Sequence, residues 1–141
     1  TIAAIIARSG INVKIVSGQT YDVLACCDLA IVTSGTATLE TGLMGVPMVI
    51  IYKLSLFSEL VGRLIIKPQL IGLVNIIAGK AIAPELLQRD ANGPRIASEA
   101  LAILLNEGKK QEIIRELNDI RKKLGEPGAA RRAAQIACDM V

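Results

Sequence analysis

One stretch constrains the fold more than any other: Leu29-Ala30-Ile31-Val32-Thr33-Ser34-Gly35-Thr36-Ala37-Thr38-Leu39-Glu40. Leu29 to Val32 is an apolar run too short for a helix and bounded by turn residues, which predicts a buried strand. Ser34-Gly35-Thr36 is a tight turn of small residues, and Ala37 to Met44 reads as a short helix stopped by Gly45 and Pro47. Met48 to Tyr52 is strand-like again. Strand, turn, helix and strand in that order form a parallel crossover, the unit of an α/β sheet. Composition agrees. Apolar residues make up 52% of the 141, yet there is one Phe, two Tyr and no Trp. An aliphatic core of that kind suits a Rossmann-like parallel sheet with helices on both faces.

The turn after the first of these strands suits phosphate. The first amides of a helix have no acceptor inside it, and the helix dipole is positive there. Gly35 leaves the backbone open to an anion, and Ser34, Thr36 and Thr38 add uncharged hydroxyl donors. Glu40 follows Thr36 by four residues, on the same helix face one turn further in. A carboxylate there repels phosphate but accepts hydrogen bonds from sugar hydroxyls. The pattern fits a nucleoside diphosphate with its phosphates at the turn and its ribose at Glu40. The ordinary alternative is a capped helix with a solvated Glu. A capping box needs Glu or Gln three residues after Ser or Thr, and Ser34 and Thr36 are followed at that spacing by Ala37 and Leu39.

Several function classes are excluded or disfavoured. Sixteen basic and 13 acidic residues give +3, too mild for nucleic acid, and aromatic stacking platforms are missing. With no His, there is no Ser-His or Cys-His pair and no usual zinc ligand, and no divalent-metal cluster is visible. Cys26, Cys27 and Cys138 show no Cys-x-x-Cys spacing, and this odd count without a signal peptide suggests a reducing cytosol. Cys26 and Cys27 read as small hydrophobes. No apolar run reaches the ~20 residues that span a bilayer. The chain opens on Thr1-Ile2-Ala3-Ala4, already helix-like and without Met, and reads as a piece cut from a longer chain.

Taken in order, Thr1 to Arg8 is predicted as a helix end stopped by Ser9-Gly10, and Asn12 to Val16 as an alternating strand. Ser17-Gly18-Gln19-Thr20 is a loop, and Thr20 can cap a helix over Tyr21 to Cys27. Two successive strands thus end in Ser-Gly pairs, which parallel pairing sets on the edge where ligands bind. Gly18 and Gln19 become second-rank nucleotide candidates, with an ordinary tight connection as the alternative. Lys53 ends the third strand on that edge and can face phosphate, a merely solvated Lys at a strand end being the alternative. Leu54 to Lys67 reads as a core helix with a basic edge at Arg63 and Lys67, an interfacial helix being the sharper alternative. Leu70 to Ile77 is predicted as a strand interrupted by Asn75, whose amide must find partners. Pro84 to Gln88 reads as a short helical turn, and Asn92-Gly93-Pro94 as a turn before a helix over Pro94 to Asn106. Lys109 to Leu124 is amphipathic, with Ile113, Leu117, Ile120 and Leu124 on one stripe. Gly125 to Gly128 breaks it before an alanine-rich helix over Ala129 to Val141. Residues 1–108 are thereby read as a nucleotide-binding domain, which the resemblance described next makes a nucleotide-sugar-binding one, and 109–141 as a helical tail.

Four blocks carry a family resemblance: Ser34 to Glu40, Gly45-Val46-Pro47-Met48-Val49-Ile50-Ile51-Tyr52-Lys53, Leu73-Val74-Asn75-Ile76-Ile77-Ala78-Gly79 and Pro84-Glu85-Leu86-Leu87-Gln88. In this order they resemble the lipid-A-disaccharide synthases, two-domain glycosyltransferases of the GT-B type, and the likeness runs from about Ile11 to Leu105 and more loosely to the end. Lys80-Ala81 departs from it, since the family commonly shows an arginine and then a glutamate there. The resemblance implies the C-terminal half of a GT-B enzyme. It implies transfer of 2,3-diacylglucosamine from its UDP donor to 2,3-diacylglucosamine-1-phosphate, giving lipid A disaccharide and UDP. The UDP-binding residues on this reading are Ser34, Gly35, Thr36, Thr38, Glu40, Asn75, Lys53, Gly18 and Gln19. Asn75 enters through the family's asparagine, while Glu85 and Gln88 come last, helix-surface roles being their alternative. No cofactor or metal is implied. The partners are the UDP-sugar, the acylated sugar phosphate, a cytoplasmic face of the inner membrane touched peripherally, and a second copy joined through the C-terminal helices. The general base falls on an N-terminal half, so this chain alone is expected to bind nucleotide weakly and catalyse nothing. Two alternatives stay open: another UDP-sugar-using GT-B enzyme, a GlcNAc transferase or epimerase, and a non-catalytic nucleotide-binding domain.

Overall fold

A computed structural model describes residues 2–33, 35–53, 70–125 and 128–140. Its strands are β1 (Ala30–Thr33), β2 (Met48–Tyr52) and β3 (Glu85–Leu87), and they form one parallel sheet in the order β1-β2-β3. Ala30 pairs with Met48 and Thr33 with Ile51, while Ile50 pairs with Glu85 and Tyr52 with Leu87. The described helices are α1 (Ile2–Ser9), α2 (Thr20–Ala25), α3 (Thr36–Leu43), α4 (Leu73–Ala78), α5 (Gly93–Leu104), α6 (Glu107–Leu124) and α7 (Ala129–Asp139). The α/β class and the β1–α3–β2 crossover match the expectation.

β2 is the centre of the core. Successive side chains of a strand point to opposite faces, yet Met48, Val49 and Ile50 are all fully buried, so the strand is covered on both sides. α3 packs on β1 and β2, α5 packs on β2, and α6 rests against α3, α4 and α5. α6 sends Ile113, Leu117 and Ile120 into the same core, as the sequence stripe predicts; Leu124, the stripe's last member, is exposed. Close approach depends on two glycines. A methyl at Gly42 would meet Val74 Cγ2 at 3.1 Å and Leu117 Cδ2 at 3.3 Å, and one at Gly72 would collide with Ile50 Cδ1. The amide side chains of Asn92 and Asn106 cap α5 and α6 by accepting from Arg95 N (3.1 Å) and Lys109 N (3.0 Å).

Three local expectations are corrected. Asn12 to Val16 belongs to no strand, and Val13, Ile15 and Val16 are exposed. A strand exists only as a hydrogen-bonded pair, and among the described residues β1 is bonded only to β2, with nothing laid beside Asn12 to Val16. Leu70 to Ile77 is not a strand but leads into helix α4, bounded by Gly72 and by Gly79 in the left-handed conformation (φ 73°). A short apolar run does not distinguish a strand from a buried helical turn. Pro84 to Gln88 is the reverse case: Glu85–Leu87 pairs with β2 as a strand. Ser34, the helix expected over Leu54 to Lys67, and Glu126-Pro127 lie outside the described residues.

Candidate functional site

Parallel pairing sets the C-terminal ends of β1, β2 and β3 on one edge, so the Gly35 turn, Lys53 and Gln88 all follow strands there. Gly35 has φ 136° and ψ −161°, a conformation open to glycine and strained for other residues, and it caps α3. Among the described residues other than its chain neighbours, no atom lies within 4 Å of where its Cβ would stand, so on that side the backbone is open to a ligand. Thr36 begins the helix and is exposed. By helix geometry, the Thr36 and Ala37 amides have no acceptor within α3.

Thr38 is turned inward. It is fully buried, and its hydroxyl donates to Gly35 O at 2.8 Å while its amide donates to the same oxygen at 3.2 Å. It holds the turn's shape from behind. Glu40 stands half-buried one turn beyond Thr36, and its Oε2 accepts from the Tyr21 hydroxyl at 3.1 Å. That bond, and then the Glu40 charge, raise the Tyr21 hydroxyl above its ordinary pKa. Tyr21 lies on α2, two residues after Gln19, the residue that caps this helix, and Gly18 precedes it with φ 75°. The bond therefore ties the helix after the Gly18-Gln19 loop to the helix after the Gly35 turn. Lys53 is exposed at the end of β2.

Asn75 is fully buried and fully committed. Its Nδ2 donates to Ala83 O and to Glu85 Oε1, both at 2.8 Å, and its Oδ1 accepts from the Ile82 and Ala83 amides, both at 3.0 Å. Two donors and two acceptor positions are what an amide side chain offers, and all are used. Glu85 completes the cluster: Oε2 accepts from Ile71 N at 2.8 Å and Oε1 from Gly72 N at 3.0 Å. A carboxylate thus holds the two amides just before α4, near the positive end of its dipole. Asn75 and Glu85 together bolt α4 to β3 beneath the sheet edge. Gln88, next after β3, has φ 50°, the one non-glycine positive φ among the described residues, and its amide donates to Tyr52 O at 2.9 Å. Backbone strain of this kind concentrates at functional sites.

Sequence reasoning missed Tyr21, because 19 residues separate it from Glu40 and no periodicity links them. It also missed that the Glu85 carboxylate holds the Ile71 and Gly72 amides, although a Glu in an apolar run after a proline is a usable sign.

A family model described as lipid-A-disaccharide synthetase matches residues 2–140. The lipid-A-disaccharide synthase of Syntrophus aciditrophicus (strain SB) is 53% identical over 130 residues, covering 92% of this chain and 34% of that protein. Those of Anaeromyxobacter dehalogenans (strain 2CP-C) and Geobacter sulfurreducens are 46% identical over 129 residues and 42% over 140, covering 92% and 99% of this chain and 34% and 36% of theirs. The chain spans about a third of the length of these curated relatives. With the match running from Ile2 to Met140, the chain belongs to the lipid-A-disaccharide synthetase family.

Proposed function

We propose that this chain forms the sugar-nucleotide side of a glycosyltransferase of lipid A biosynthesis, and that the whole protein moves 2,3-diacylglucosamine from UDP to 2,3-diacylglucosamine-1-phosphate. The observation that carries the reading is the open Gly35 turn at the head of α3, on the strand edge shared with Lys53 and Gln88. The diphosphate lies against the Thr36 and Ala37 amides with the Thr36 hydroxyl. Lys53 faces its charge, Glu40 accepts from the ribose hydroxyls, and Gly18 and Gln19 flank it. Thr38 and Asn75 serve the site from behind, because their polar atoms are bonded within the protein. As the glycosidic bond breaks, negative charge grows on the departing diphosphate, and fixed amides and hydroxyls stabilise it without reorganising. This chain's residues supply the leaving-group side of the reaction. The base that takes the acceptor's proton lies in the remainder of the enzyme.

Calorimetric titration of the full-length protein with UDP tests the reading: binding is expected, with Glu40→Ala weakening it. Absence of UDP binding overturns it. Turnover of acylated UDP-glucosamine but not plain UDP-GlcNAc separates it from other UDP-sugar transferases and epimerases. The acyl chains of both substrates support peripheral contact with the inner membrane, and no described helix is long and apolar enough to cross one. Liposome co-sedimentation checks that contact. The exposed Ile136 and Met140 on and beside α7 support pairing of two copies through the C-terminal helices; a monomeric mass by light scattering rules that out.

A further inference from the structure

Glu40 is the carboxylate that the nucleotide reading sets against ribose, and its side chain is tied to the Tyr21 hydroxyl at 3.1 Å. We propose that Tyr21 is a positioning residue for Glu40, holding that carboxylate in the orientation that receives the ribose hydroxyls. The inference rests on the nucleotide reading of the preceding subsection.

A half-buried Glu on a helix surface has three rotatable bonds, and fixing them when a ligand binds costs affinity. The Tyr21 ring reaches across from α2 with only two rotatable bonds, so it restrains Glu40 before the ligand arrives. The restraint leaves acceptor capacity free. A carboxylate offers about four lone-pair sites, and one hydroxyl uses one of them. Oε1 and the second lone pair of Oε2 can still receive a vicinal diol. The Tyr21 hydroxyl is also held in its protonated, donating form, as its raised pKa shows. The same contact links the Gly18-Gln19 loop to the site, because that loop leads directly into α2. A shift in this loop is thereby transmitted to Glu40.

The test is calorimetric titration of the full-length protein with UDP and with 2′,3′-dideoxy-UDP, which has no ribose hydroxyl to give. Tyr21→Phe keeps the ring and removes the bond. It is expected to weaken UDP by about threefold to tenfold, the usual worth of one hydrogen bond, and to leave dideoxy-UDP binding unchanged. In a Glu40→Ala background, Tyr21→Phe is expected to add no further loss. Equal weakening of both nucleotides assigns Tyr21 a purely structural role and overturns the proposal, as does no change in either. A wild-type protein that binds the two nucleotides alike overturns the ribose assignment of Glu40 itself, and the positioning role with it. That outcome is visible before any Tyr21 variant is made.

Discussion

Replacing Asn75 by Ala tests the tie between α4 and β3. The substitution strips the Ala83 amide and the Ala83 carbonyl of their Asn75 partner, leaves the Ile82 amide with Lys80 O at 3.1 Å, and removes one of three donors to Glu85. An orphaned buried polar group costs about 1–3 kcal/mol. Water entering the vacated space recovers part of this for the two orphaned groups, which leaves an expected loss of about 2–4 kcal/mol. That is a large share of a typical domain's stability of about 5–15 kcal/mol. Urea unfolding followed by circular dichroism measures the loss, and hydrogen exchange localises it. The Ala83 amide should lose protection first, because its acceptor is gone, while the Ile82 amide keeps Lys80 O. UDP affinity, measured where the variant remains folded, should change little. A loss below about 1 kcal/mol, or a fall in UDP affinity without a fall in stability, refutes the argument and returns Asn75 to direct ligand contact.

The remaining predictions probe backbone and electrostatics. Gly72→Ala drives a methyl into Ile50 Cδ1 and should cost about 1–3 kcal/mol; Ile50→Val deletes that carbon, so the double variant should be more stable than the sum of the two single losses implies. Gly35→Ala meets no atom of the described residues beyond its chain neighbours within 4 Å but must adopt φ 136°, so unfolding should show about 1–3 kcal/mol of strain together with weaker UDP binding. Glu40→Ala removes the first and second causes of the raised Tyr21 pKa, and a difference titration of tyrosinate absorbance should show Tyr21 ionising nearer its ordinary value of 10.0. The sign follows from linkage: a folded-state pKa above the unfolded one means that the stabilisation is present below pH 10 and is lost as pH rises through the folded value.

The amino-acid sequence by itself determined the β1–α3–β2 crossover, the glycine turn within it and the buried stripe of α6. Each is written in local chemistry: apolar runs of strand length, small residues at a turn, and helical spacing of Ile113, Leu117 and Ile120. Tertiary structure decided the rest. Leu73–Ala78 starts as a helix where Glu85, on a neighbouring strand, holds the amides of Ile71 and Gly72 just before it, and Glu85–Leu87 is a strand because β2 offers it a ladder. Asn12 to Val16, with the alternation of a strand, is none here, because no described strand lies alongside it. The bonds that saturate Asn75 and join Tyr21 to Glu40 connect residues 7 to 19 positions apart. Hydrogen bonds of that kind depend on where the packed chain brings polar atoms within about 3 Å, and local residue patterns do not encode that distance.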